Sequence, residues 1–270
     1  MSHSSILLVG CGKMGSALLS RWQKKHPAGI HRFRVIEPMA HHANTEHVSW
    51  FASLDTLPKE FTPSVIVFAT KPQELPVILP AYRERFAEKQ PLYISIAAGK
   101  SLRFYLSHLG DRAHIIRAMP NTPALIGEAM TVLCASPAVP PSLKKIAIQI
   151  MEAVGHVVWI DDESQMDAVT AISGSGPAYV FLFLDSLTKA GVEMGLSEQT
   201  ARHLAVATVS GSSSLAEQSS DSLEQLRKDV TSPGGTTEAA LRVLMENNSF
   251  EELIKKAAIK AAERSKELEK

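Results

Sequence analysis

Ile6-Leu7-Leu8-Val9-Gly10-Cys11-Gly12-Lys13-Met14-Gly15 is the stretch that decides the fold. Its four consecutive apolar residues read as a strand buried on both faces of a parallel sheet, and Ser16 to Trp22 continues as a helix. Between them stands the spacing Gly10-x-Gly12-x-x-Gly15. In such a strand–turn–helix the first glycine permits the tight turn, the second admits a pyrophosphate against bare backbone, and the third lets helix pack on strand. The helix N-terminus offers unpaired N–H groups and a partial positive charge to the anion. Taken alone, the spacing is a weak signal, and a glycine-rich turn that binds nothing is the other reading. Context decides, because an acidic residue, Glu37, ends the next strand about 20 residues on, where adenosine ribose is read.

Working outward, Phe33–Ile36 ends at Glu37-Pro38, Val65–Ala69 at Thr70-Lys71-Pro72, and Leu92–Ile96 at Ala97-Ala98-Gly99. His114–Met119, Met130–Cys134 and His156–Ile160 follow, with helical segments between the strands. This rhythm predicts an α/β domain over residues 1–160 with a mostly parallel, doubly wound sheet. Beyond about residue 161 no strand is expected, and 161–270 reads as helices. Ser175-Gly176-Pro177 reads as a helix start and Gly191 as its stop. The helix between them is apolar nearly all round, which places it inside a bundle or a subunit interface. Ser197 to about Gln218 is rich in small residues, and Phe250 to about Leu268 carries an apolar stripe.

The 270 residues suit two domains, and 45% apolar with 21% charged residues exclude wholesale disorder. Lys and Arg number 28, as do Asp and Glu, which leaves no basic footprint for nucleic acid or an anionic membrane. Cys11 and Cys134 form no disulfide framework or zinc spacing, and the ten histidines make no H-E-x-x-H pattern, so no metal site is expected. The cysteine usage suits a reducing cytoplasm. The apolar run before Gly10 is too short for a signal peptide, and Ala178–Leu184 is too short to span a bilayer. A cytoplasmic protein with small-molecule and subunit partners is the expectation.

Lys71-Pro72 and Ala97-Ala98-Gly99 lie at the carboxyl edge of the sheet, where ligands bind in open α/β folds; a solvated surface lysine is the other reading of Lys71. In Met119-Pro120-Asn121-Thr122-Pro123 two prolines fix the backbone and Asn121 offers a donor and an acceptor, although a plain rigid turn accounts for the segment equally well. Ser232-Pro233-Gly234-Gly235-Thr236-Thr237 precedes the helical run Glu238 to Met245 and forms an anion nest with hydroxyls beside it, suited to a substrate carboxylate. Ordinary threonine N-capping is the alternative there. No G-x-S-x-G nucleophile turn is present.

Together these motifs resemble the pyrroline-5-carboxylate reductases, which reduce a cyclic imine to proline. The resemblance runs through Gly10 to Gly15, Thr70-Lys71-Pro72-Gln73, Ser95 to Gly99, Arg117 to Pro123, Ser173-Gly174-Ser175-Gly176-Pro177-Ala178-Tyr179 and Asp229 to Thr237, the last two being the most specific. It implies an N-terminal Rossmann-like doubly wound sheet and an all-α C-terminal domain that dimerises and binds substrate, 161–270. It implies an NAD(P)H-dependent last step of proline biosynthesis by a homodimer, from which larger rings of dimers can assemble. The active site would lie between one subunit's nucleotide domain and the paired helical domains. Carried over, Gly234, Gly235 and Thr236 bind the substrate carboxylate, and Thr237 hydrogen-bonds the ring nitrogen as the catalytic position. Glu163 lies near the substrate. Gly10, Cys11, Gly12, Lys13, Met14, Gly15, Glu37, Ala69, Lys71, Pro72, Ala97, Ala98, Gly99, Met119 and Asn121 line the coenzyme. Glu37 is a departure: it accepts ribose hydroxyls and repels a 2′-phosphate, against an expectation of NADPH. A related hydroxyacid dehydrogenase would need a lysine general acid between Ser173 and Leu187, and none is there. A non-catalytic nucleotide sensor would have no use for the Gly234–Thr237 nest.

Overall fold

The computed structural model describes residues 5–39 and 43–268. Eight strands form one sheet: β1 (Ile6–Val9), β2 (Phe33–Ile36), β3 (Val48–Phe51), β4 (Val65–Phe68), β5 (Leu92–Ser95), β6 (His114–Met119), β7 (Ala129–Ala135) and β8 (Gly155–Trp159). Their order is β3-β2-β1-β4-β5-β6-β7-β8. Every neighbouring pair is parallel except β6 with β7, which is antiparallel. The expected doubly wound sheet is therefore present, and its strand order reverses beside β1, which pairs with β2 on one side and β4 on the other. In open α/β sheets the ligand crevice lies outside the carboxyl ends at that reversal.

The strand residues alternate between two cores, as a period of two requires. Ile6 and Leu8 pack with Trp22 and Leu18 of α1 (Lys13–Lys25) and with Ile150 and Met151 of α4 (Pro141–Glu152). Leu7 and Val9 pack with Leu79 and Tyr82 of α2 (Leu75–Phe86) and with Tyr105 and Leu109 of α3 (Leu102–Leu109). The Trp22 indole N–H donates to the Ile150 carbonyl at 2.9 Å, so the largest side chain of that face leaves no polar group orphaned. β3 was not anticipated from sequence: it is a four-residue edge strand whose last three residues are only half-buried, so it shows no run of buried apolar residues.

From Glu163 to Glu193 the chain is helical throughout, through a 3₁₀ turn, α5 (Met166–Val169), a π-turn at Thr170–Gly174 and α6 (Gly176–Glu193). α6 thus begins at Gly176, as Ser175-Gly176-Pro177 implies, but the turns before it lead straight into it. The Ser175 N–H bonds the Thr170 carbonyl at 2.8 Å, and this wide turn carries the helix into the proline, which has no N–H to contribute. Gly191 is not the stop. It lies inside α6, buried, where a side chain would meet Cβ of Ala201 on α7 (Glu198–Gln218) at 2.9 Å. Gly195 ends the helix: its φ is +97°, its N–H bonds Val192 O at 2.9 Å, and the Leu196 N–H bonds Gly191 O at 3.0 Å, a Schellman closure.

α8 (Leu223–Asp229), α9 (Thr236–Met245) and α10 (Ser249–Leu268) complete the chain. One compact unit runs through Ser175 and takes in the chain again from Ala261; the other is Gly176–Lys260. Within the second unit α6 keeps Phe181 at 62% and Leu182 at 66% exposure, far more apolar surface than a helix of a finished core shows. By length and composition Glu163–Glu193 would also suffice to cross a bilayer, with a window of mean hydropathy 1.2.

If Gly191 sets the α6–α7 approach, Gly191→Val forces the helices apart, an overpacking cost of about 1–3 kcal/mol. The midpoint of thermal unfolding, followed by circular dichroism, should fall by several degrees; an unchanged midpoint would mean that the helices separate freely there.

Candidate active site

The turn after β1 is built from three glycines with three different duties. Gly10 holds φ at +88°, its N–H bonds Ile36 O at 2.8 Å, and a side chain there would strike the Ala69 carbonyl group at 2.9 Å. The ends of β1, β2 and β4 therefore meet at this one residue. A side chain on Gly15 would sit 2.5 Å from Gly10 O, so only glycine lets α1 start this close to the strand. Gly12 faces open space, with nothing within 4 Å of where a side chain would begin. It is also the N-cap of α1, no side chain caps it, and no acidic residue lies in the first turn. This cradle fits a dinucleotide pyrophosphate, because bare N–H groups and the helix dipole face a space that any larger residue would fill.

Glu37 closes the cradle on one side. Its Oε2 accepts the Cys11 N–H at 2.7 Å and its Oε1 accepts the Met39 N–H at 3.3 Å. Burial, and then the charge of Glu37, push the Cys11 thiol up to about 11, so it stays protonated at neutral pH. Lys13 is exposed and Met14 half-buried in the first turn of α1.

The remaining strand ends contribute unequally. Ala69 lies against Gly10, whereas Lys71 is exposed and Pro72 half-buried. The Ala97 N–H donates to Ser95 Oγ at 3.3 Å, and Ser95 is in turn 2.5 Å from the buried Tyr105 hydroxyl, which fixes the turn after β5. Ala98 is half-buried, but Gly99, with φ of +67°, is covered by Leu268, whose Cβ lies 2.8 Å from where a side chain would begin. Met119 is turned onto Gly174, its Cε 2.5 Å from that residue's missing side chain. The Asn121 amide is spent locally: Nδ2 donates to Ser173 O at 3.1 Å and Oδ1 accepts the Met130 N–H at 3.0 Å.

Glu163 also has local work. Its Oε1 accepts the Leu102 N–H, the first of α3, at 2.6 Å and pairs with the buried guanidinium of Arg117 on β6. Nothing in the motif Arg117 to Pro123 names the task of Arg117. An arginine inside the apolar strand His114–Met119 was the available signal, since a buried guanidinium requires a carboxylate.

In the second unit, Gly234 takes φ of +70° and the Gly235 N–H bonds Ser232 O at 3.0 Å, so Ser232–Gly235 curls into a turn ahead of α9. The N-cap of α9 is Gly235, with no side-chain cap. Threonine N-capping, the alternative reading of this segment, is thereby excluded. Among the described residues the Thr236 and Thr237 hydroxyls accept and donate no hydrogen bond, and the first-turn N–H groups have no helical partners. Glu238, three residues past the cap, reaches back and accepts the Gly234 N–H at 2.5 Å. Its place three residues past the cap is the capping-box position, which the sequence spacing itself carries. Among the described residues no cluster of three His, Cys, Asp or Glu could hold a metal ion.

A doubly wound sheet with a bare glycine cradle at its reversal, followed by a helical unit with exposed apolar faces, is the plan of a dinucleotide-binding protein with a separate helical domain. Residues 163–268 match the family model described as pyrroline-5-carboxylate reductase dimerisation. The chain is 35% identical to a pyrroline-5-carboxylate reductase of Pseudomonas aeruginosa over 278 residues, covering 99% of this chain and 98% of that one. It superposes with a TM-score of 0.88 on a pyrroline-5-carboxylate reductase of Coxiella burnetii, at 32% identity with both chains fully covered. The corresponding TM-score is 0.87 for a pyrroline carboxylate reductase of Plasmodium falciparum with NADP bound, at 31% identity and full coverage. The chain belongs to the pyrroline-5-carboxylate reductase family.

The Cys11 environment sets its reactivity. Thiolate is the nucleophile, so alkylation by iodoacetamide should rise about tenfold per pH unit from pH 7 to 9.5 without a plateau, because the midpoint lies near 11. Glu37→Gln removes the second cause and should speed labelling. A plateau near the ordinary thiol value of 9.0 in the wild type would contradict this environment.

Proposed function

We propose that this chain reduces 1-pyrroline-5-carboxylate to L-proline with NAD(P)H, the last step of proline biosynthesis. The observation that carries the reading is the nest at Ser232–Thr237: a glycine-capped helix start with two uncommitted hydroxyls, in a chain that matches pyrroline-5-carboxylate reductases along its whole length. Gly10 to Gly15 and Ala69 hold the coenzyme's phosphates and Glu37 its adenosine ribose, with Lys71, Pro72 and the Ala97–Ala98 turn beside the cleft. The coenzyme supplies the hydride. The protein's task is to hold the imine carbon in line and to exclude water, which needs no strong base. Gly234, Gly235 and Thr236 grip the carboxylate. Thr237 donates or accepts at the ring nitrogen, which can be protonated in solution before reduction. Glu163, Met119, Gly99 and Asn121 act in this reading as positioning residues, since their side chains or surfaces are committed to Arg117, Gly174, Leu268 and Ser173.

Residues 161–270 serve as the dimerisation and substrate domain. The exposed apolar face of α6 lies within the segment that matches the dimerisation model, so we read it as a subunit interface and not a membrane span. Dimers assembling into a ring, and a cytoplasmic location, are the finer expectations; the two unpaired cysteines favour the second.

Purified protein should oxidise NAD(P)H only when 1-pyrroline-5-carboxylate is present. Thr237→Ala should cut kcat by at least tenfold while the unfolding midpoint stays near wild type, since its hydroxyl makes no hydrogen bond within the described chain. Turnover of a 3-hydroxyacid with no imine reduction would overturn the assignment.

Glu37 supplies a second test. A 2′-phosphate beside its carboxylate places like charges within hydrogen-bonding distance, a penalty of about one to a few kcal/mol. NADH should therefore be used at least as well as NADPH by kcat/KM, and Glu37→Ser should shift the ratio toward NADPH. A wild type that prefers NADPH more than tenfold, with no shift in Glu37→Ser, would show that Glu37 does not face the ribose.

A further inference from the structure

The Gly234 N–H is not free in this chain. It donates to Oε2 of Glu238 at 2.5 Å, so a carboxylate already sits in the nest, and it belongs to the protein itself. On the other side Glu238 Oε1 is 4.0 Å from Nη2 of Arg242, one helical turn further along α9. The Glu238 side chain is 42% exposed and that of Arg242 81%, so both can move without disturbing a core.

We propose that Glu238 is a built-in occupant of the carboxylate nest, displaced onto Arg242 when substrate binds; this rests on reading Ser232–Thr237 as the substrate-carboxylate site. Two carboxylates cannot share one N–H donor, because their charges would lie within hydrogen-bonding distance of each other. The incoming carboxylate must therefore expel that of Glu238. Arg242 gives the expelled group a partner at the i,i+4 position, where the pair is favourable on a helix surface. The Gly234 N–H is thus satisfied in both states, by Glu238 when the nest is free of substrate and by substrate when it is full. Displacement is complete before hydride transfer, so its cost falls on KM and leaves kcat alone.

Three variants and two substrates test this. Glu238→Ala should lower KM for 1-pyrroline-5-carboxylate about fivefold with kcat within twofold, the size expected for removing one exposed charge-assisted competitor. Glu238→Gln keeps a neutral acceptor of the same shape and should fall between. Arg242→Ala, which takes away the alternative partner, should raise KM. The carboxylate-free ring, 1-pyrroline, separates the two layers of the argument, since it has nothing to place in the nest. Its KM should be far higher in the wild type and unchanged by Glu238→Ala. If the wild type used both rings with equal KM, the nest would not be the carboxylate site and the functional reading of Ser232–Thr237 would fail. If the wild type preferred the carboxylated ring but Glu238→Ala and Glu238→Gln left its KM unchanged or raised, Glu238 would be a helix cap and only the present proposal would fall.

Discussion

Everything in the first unit depends on the close meeting at Gly10. Three strand ends approach there to within van der Waals distance: the Gly10 N–H on Ile36 of β2, and the Ala69 carbonyl of β4 against the place where a side chain would be. A left-handed φ with no room for Cβ admits glycine alone. That constraint turns the chain sharply enough for α1 to begin directly over the sheet's reversal, so its free N–H groups face the crevice and not a neighbouring helix. The alternating packing of Ile6 and Leu8 on one core and Leu7 and Val9 on the other holds the turn rigid from below.

The chemistry assigned to this scaffold is undemanding of acids and bases, and the electrostatics agree. The buried Arg117 guanidinium is neutralised by the half-buried Glu163, and the pair ties β6 to the N-terminus of α3, so it serves architecture. At the starts of α1 and α9 the N-caps, Gly12 and Gly235, carry no side-chain cap, so backbone N–H donors are left uncapped there. Anion recognition by backbone asks for glycine and a helix end rather than for charged side chains.

The second unit shows the other side of the same economy. α6 and α7 approach through Gly191 and Ala201, which brings the two helices close while using few large side chains between them. The large side chains of α6, Phe181 and Leu182 among them, are left outside the contact. They are exposed in the single chain, and a family whose helical domain dimerises has a second copy with which to cover them.

The sequence by itself determined every strand but β3, the glycine turn after β1 and the glycine-rich turn ahead of α9, because each rests on local rules: apolar runs, glycine spacing, and glycine ahead of a helix. Ile6–Val9, Phe33–Ile36 and His114–Met119 have the bounds read from composition alone. What needed the tertiary structure were the facts that depend on who stands opposite. Gly191 looked like a helix stop because glycine ends helices, yet Ala201 opposite makes it a packing residue, and Gly195 four residues on does the stopping. Glu163 and Asn121 have partners far away in sequence, Arg117 and Ser173, that no spacing announces. β3 escaped notice because an edge strand buries one flank only, and burial is what writes the apolar pattern. A hydrogen bond between residues 46 or 52 positions apart leaves no period in the chain, so only the fold can reveal which polar side chains remain for chemistry.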